Sequence, residues 1–121
     1  MVALIRLLLL LALVLGVGPA GWGLPPAWAQ PQDGVQERGA QLFANHCAAC
    51  HVNGGNIIRR GKTLKLAALQ RQGIDGPAAI AAIAAGGVGQ MGGYAAVLAE
   101  GGAEAVGAWV WQQALDDWPR A

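Results

Sequence analysis

The stretch Cys47-Ala48-Ala49-Cys50-His51 holds both of the chain's cysteines and one of its two histidines. On a helix, residues three and four apart share a face, so this spacing predicts three side chains projecting together. Two thiols so placed can add to the two vinyl groups along one edge of a porphyrin. The imidazole then lies under the ring centre and can bind iron. CxxCH is the attachment pattern of c-type haem for that reason. Three other chemistries use the same residue types. A thioredoxin-like CxxC needs βαβ elements, and the chain has no alternating strand pattern. A zinc site from His46, Cys47, Cys50 and His51 would crowd all its ligands onto about two turns of one helix, too close together to surround a metal tetrahedrally. A disulfide between Cys47 and Cys50 leaves His51 without a role. Covalent haem uses all three residues. His46 falls about 100° around the helix from Cys47 and reads as a surface residue.

Working outward, the iron needs a second axial ligand. The chain has two methionines, Met1 and Met91. Met91 stands well downstream of His51, within Gly86-Gly87-Val88-Gly89-Gln90-Met91-Gly92-Gly93. Core methionines sit on packed elements, so one in a glycine loop is a poor core filler. Glycines on both sides let the backbone fold tightly over a haem face. A thioether opposite histidine raises the reduction potential and suits electron transfer. The plain alternative is a loop methionine with no ligand role. Residues 87–92 also match GxGxxG, but they follow an Ala-rich helix instead of a strand, so a dinucleotide site is rejected.

Upstream, Met1 to Arg6 carry one positive charge, and Leu7 to Gly18 form an unbroken apolar run. Pro19 to Ala29 end in the small-x-small pattern Ala27-Trp28-Ala29. This is the plan of a secretory signal peptide over residues 1–29, leaving a domain over 30–121. A retained membrane anchor is the alternative, but the run is well short of the roughly 20 apolar residues that span a bilayer. Export also agrees with the motif, because covalent haem attachment occurs outside the cytoplasm. Removing Arg6 leaves seven Lys+Arg against seven Asp+Glu. A formally neutral domain argues against nucleic acid and against a polybasic membrane contact.

The pattern predicts an all-α fold of about four short helices wrapped around one haem. Gln30 to Gly34 read as a mobile lead-in. Val35 to Cys50 read as a helix, with Gly39, Phe43 and Cys47 four apart on one face. Ile57 to Thr63 read as an irregular loop. Thr63 can cap a helix over Leu64 to Gln72 that Gly73 ends. Pro77 opens a helix over Ala78 to Ala85. The last helix spans Ala103 to Asp116. One of its faces carries Val106, Trp109, Val110 and Gln113, the adjacent one Trp111, Leu115 and Trp118. It is expected to cross the first helix at Gly39 and Phe43, with Trp109 against them. A domain rich in Gly and Ala buries little by itself and needs a large apolar object to pack around.

With these residues in place, Val35 to Ala121 resembles the class I cytochromes c, and among them the cytochrome c6 family of cyanobacteria and algae. The resemblance rests on Arg38-Gly39-Ala40-Gln41-Leu42-Phe43, Asn45 to His51, Gly61-Lys62-Thr63-Leu64-Lys65, the Met91 loop and Ala105 to Val110. It implies thioether attachment at Cys47 and Cys50, with His51 proximal and Met91 distal on the iron. It further implies a monomeric one-electron carrier, not an enzyme. Its donor would be the cytochrome b6f complex and its acceptor photosystem I or a terminal oxidase, in a thylakoid lumen or a periplasm. There are departures from the family pattern. Gly92 follows Met91 where the family has proline. Ile83 stands where the family commonly places a glutamine near the haem. Val97 stands where an arginine is used in docking to photosystem I. These departures point to a c6-like paralogue. A haem domain that binds or senses a small ligand is the competing function, and a haem-free structural domain the third.

Overall fold

A computed structural model describes residues 30–120. The expected signal peptide, residues 1–29, lies outside the described residues. The elements are α1 (Gln30–His46), a 3₁₀ turn (Val52–Gly54), α2 (Leu66–Arg71), α3 (Pro77–Gly86), α4 (Ala95–Leu98) and α5 (Gly102–Leu115). Among the described residues the one β-type pairing is an isolated bridge between Val88 and Met91. The fold is all-α, as the periodicity predicts. No helix among these residues is long and apolar enough to cross a membrane.

Several boundaries differ from the sequence reading. Gln30 to Gly34 are helical instead of a lead-in. Pro31 falls in the first turn, where a missing N–H costs nothing, and Asp33 there complements the helix dipole. At the other end α1 stops at His46, before the cysteines. The amides of both Cys47 and Ala48 converge on the Phe43 carbonyl, and this tightening ends the α-helix. Thr63 does not cap α2, which begins at Leu66 after an extended Lys65. The Thr63 hydroxyl instead accepts a local bond from the Lys65 amide at 3.4 Å. α4 has no counterpart in the sequence reading, because so short a helix shows no period.

α5 is the spine, packed against α1 on one side and α3 on the other. Each crossing is close because one partner lacks a side chain. A Cβ on Gly39 would meet the Ala105 carbonyl and lie 2.7 Å from the Trp109 Cβ. A Cβ on Gly107 would meet the Pro77 carbonyl and lie 3.0 Å from the Ala81 Cβ. The expected crossing at Gly39 and Phe43 is therefore present, with the Phe43 and Trp109 rings 4.8 Å apart. The expected second face of α5 is not. Trp118 lies beyond the helix and turns back into the core, whereas Leu115 is 50% exposed. The turn back requires left-handed backbone at Asp117 and Trp118, which helical spacing cannot anticipate.

Candidate haem site

Between α5, α3 and the segment after α1 lies an apolar cavity of about 280 Å³. Phe43, Leu69, Ile80, Val106 and Val110 form its wall. Cys47, Cys50, His51 and Met91 all line it, although Met91 belongs to a segment far along the chain from the other three.

The CxxCH segment is a turn of its own, not the end of α1. The Cys50 amide donates to the Cys47 carbonyl at 3.1 Å and the His51 amide to the same carbonyl at 3.0 Å. The second of these is an α-type bond, so the motif keeps one helical turn of local geometry while the rod around it has ended. Burial raises the Cys47 thiol above its ordinary pKa, with Cys50 beside it adding to the rise. The two cysteines form no disulfide with each other. His51 Nδ1 lies 2.8 Å from the Gly55 carbonyl oxygen. A carbonyl can only accept, so Nδ1 carries the proton and Nε2 keeps the lone pair that binds metal.

The loop after this motif is held by Asn56. Its Oδ1 accepts from the amides of Ile58 at 3.0 Å and Arg59 at 2.7 Å. Its Nδ2 donates to the Lys62 carbonyl at 3.0 Å. Arg59 and Lys62 consequently line the cavity, and no Asp or Glu among the described residues does.

Met91 sits on a tight hairpin. Val88 and Met91 exchange both backbone hydrogen bonds, at 2.9 and 3.0 Å, around Gly89-Gln90. Gly89 has φ 56°, the positive value such a two-residue turn favours. Gly87 has φ 80°, and a Cβ there would strike the chain at Met91 to Gly93. The hairpin is tied back to α3 by the Tyr94 amide, which donates to the Ala84 carbonyl at 2.9 Å.

Other sequence expectations fare differently. His46 is half-buried and lines the cavity instead of facing water, because the chain turns directly after it. Ile83 lines the cavity, whereas Val97 is 53% exposed. Tyr94 and Ile74 are cavity residues that the sequence reading misses. Neither carries a local signal: Ile74 lies in the connection after α2 and Tyr94 directly precedes α4.

This donor set fits a covalently held iron porphyrin. Two thiols and an imidazole on one turn, a thioether on another segment and an apolar wall match the needs of a large flat metallated ring.

Comparison with known proteins agrees. The family model described as cytochrome c oxidase, cbb3-type, subunit III matches residues 34–110. A cytochrome c6-like protein of Nostoc sp. strain PCC 7120 is 45% identical over 80 residues, covering 66% of this chain and 72% of that protein. Cytochrome c6 of Aphanizomenon flos-aquae is 40% identical over 82 residues, covering 68% of this chain and 94% of that protein. The crystal structure of cytochrome c6B from Synechococcus sp. WH8102 superposes with a TM-score of 0.67 at 58% identity, covering 69% of this chain and 96% of that one. Proteins of this kind carry one covalently bound c-type haem and transfer electrons; they are not enzymes. The chain belongs to the cytochrome c6 family of class I cytochromes c.

Proposed function

We propose that this protein is a mobile one-electron carrier whose haem is bound through Cys47 and Cys50, with His51 and Met91 as the axial ligands. The observation that carries this reading is that two segments distant in the sequence bring these four side chains to one apolar cavity. When bound, a c-type haem supplies a one-electron ferric–ferrous couple. The chain's own residues set the conditions for it. Cys47 and Cys50 hold the group covalently. The Gly55 carbonyl fixes the His51 tautomer. Met91 supplies a soft ligand that favours the ferrous state. The apolar wall excludes water. Arg59 and Lys62, on a cavity edge without acids, offer positive charge to the haem carboxylates.

Residues 1–29 act in this reading as a signal peptide, and the domain over 30–121 works as a monomer in a thylakoid lumen or a periplasm. Its donor is the cytochrome b6f complex and its acceptor photosystem I or a terminal oxidase. Ile83 at the cavity and Val97 on the surface favour a c6-like paralogue over the ordinary photosynthetic carrier. The likeness to proteins named c6-like and c6B supports the same view.

The test is the absorption spectrum of the purified holoprotein. A low-spin c-type spectrum with the weak ferric thioether-to-iron band supports the reading. A high-spin ferric spectrum moves the assignment to a ligand-binding haem domain, and a haem-free product sinks both.

A further inference from the structure

The carboxyl-terminal turn is strained and lies against the loop that orients His51. α5 ends in a Schellman-type cap. The Asp117 amide donates to the Ala114 carbonyl at 3.3 Å, and the Trp118 amide to the Gln113 carbonyl at 2.8 Å. Glycine is the usual residue where such a cap turns left-handed. Here Asp117 has φ 56° and Trp118, a bulky residue, has φ 53°. Two consecutive non-glycine residues in this region persist only where their surroundings over-determine them. The surroundings are visible. Trp118 is 7% exposed. Its ring centroid lies 5.5 Å from that of Phe43, and it meets Trp109 edge-on at 5.7 Å. Its Nε1 donates to the Leu64 carbonyl at 3.0 Å. The indole covers Gly54 so closely that a Cβ there would lie 2.5 Å from the indole Cδ2 and Nε1.

Gly54 lies in the proximal loop, next to the acceptor of His51. Its carbonyl accepts from the Leu64 amide at 2.7 Å, and its neighbour Gly55 supplies the carbonyl bonded to His51 Nδ1. Gly54 has φ 72° and Asn53 has φ 48°, so this loop has little intrinsic preference for the shape it holds. The indole lies against Gly54, and Leu64 is hydrogen-bonded both to the indole and to Gly54.

We infer that Trp118 is a positioning residue for His51: the folded-back carboxyl terminus latches the Gly54–Gly55 segment and so fixes the acceptor of the His51 Nδ1 proton. The latch rests on the reading of His51 as an iron ligand. It makes the orientation and basicity of that imidazole depend on the turn that follows α5, far along the chain from His51.

The experiment uses proton NMR and redox titration of the ferric holoprotein. Wild type should give a hyperfine-shifted His51 Nδ1–H that exchanges slowly with water. Trp118→Phe keeps a ring but loses the indole N–H. Its Nδ1–H should exchange at least about tenfold faster than in Leu98→Ala, a buried substitution outside the cavity lining that controls for general loss of stability. Its midpoint potential should rise, because an imidazole that loses its acceptor is less basic and supports ferric iron less well. If Trp118→Phe lowers Tm but matches Leu98→Ala in exchange and wild type in potential, Trp118 is only a core residue and the inference is overturned. Should Trp118→Phe yield no holoprotein, Trp118→Tyr, which also lacks the indole N–H but keeps more ring area, is compared with Leu98→Ala in the same two readings, and a match in exchange with an unchanged potential overturns the inference. A wild-type spectrum without the shifted Nδ1–H removes the His51 assignment itself, an outcome distinct from failure of the latch.

Discussion

At the scale of single residues, the chain combines side chains with one chemical option each and backbone positions with one conformational option each. Met91 belongs to the first kind. Met91→Ala should keep covalent haem, lower the midpoint potential and admit imidazole or cyanide to the iron, because the soft ligand favouring ferrous iron is gone. Unchanged potential and ligand affinity would remove Met91 from the iron. Ile83 lines the cavity without a hydrogen-bonding group. Ile83→Gln should therefore raise the midpoint potential, and a titration showing no rise would mean that a hydrogen-bonding group at this position does not tune the haem. Ala99 belongs to the second kind. Its φ of 59° with ψ of −176° lies in a region that costs a side-chain-bearing residue on the order of 1–3 kcal/mol. Glycine gives back part of this through unfolded-chain entropy. Ala99→Gly should still stabilise the holoprotein by about 1 kcal/mol, a rise in Tm of roughly 4–8 °C by thermal melting.

At the scale of elements, the helices that the sequence makes legible are those with a cap or a breaker. Pro77 opens α3, Gly73 in left-handed geometry follows α2, and α5 lies within one residue of its expected span at each end. The end of α1 is illegible because Cys47 to Cys50 are compatible with helix, and the turn comes from two amides competing for the Phe43 carbonyl. The α1–α5 crossing gives the sharpest test at this scale. Gly39→Val places branched bulk against the Ala105 backbone, which cannot yield as a flexible side chain would. A destabilisation of roughly 1–3 kcal/mol or more is expected from chemical denaturation, with the absorption spectrum of the surviving folded fraction unchanged. A variant as stable as wild type would mean that the helices can separate without cost.

At the scale of the whole molecule, the buried set is small for a domain of this length. Among the described residues six of the thirteen buried apolar side chains are alanines, and Leu69, Leu98 and Val110 are the largest fully buried ones. Phe43, Leu69, Ile80, Val106 and Val110 belong to this set and also form the cavity wall. Cys47→Ser with Cys50→Ser should leave a chain with little cooperative melting by circular dichroism, because the transfer energy of the haem is lost and its space stays open. A helical double variant with a sharp melt would show that the protein core suffices. The charges also act at this scale. Val97 is exposed and uncharged, so Val97→Arg should speed electron delivery to an acidic acceptor at low salt and lose that advantage as salt rises. An advantage that persists at high salt would point to contact instead of steering.

The chemistry of the site is written locally in the chain. CxxCH, an isolated methionine between glycines and a Gly/Ala-rich domain with few large side chains specify a haem protein, because spacing within a single turn is a property that survives any folding. The close crossing at Gly39 is legible too, since a missing side chain on a helix face has one packing use. Which remote groups serve the site is settled by packing in three dimensions. His46 turns inward, Tyr94 and Ile74 reach the cavity, and Gly55 becomes the partner of His51. Trp118 leaves its helix to cover Gly54. These placements follow from competition between hydrogen-bond partners and from burial across segments far apart in the chain. Such interactions compensate left-handed backbone at Asp117 and Trp118, and no local pattern records them.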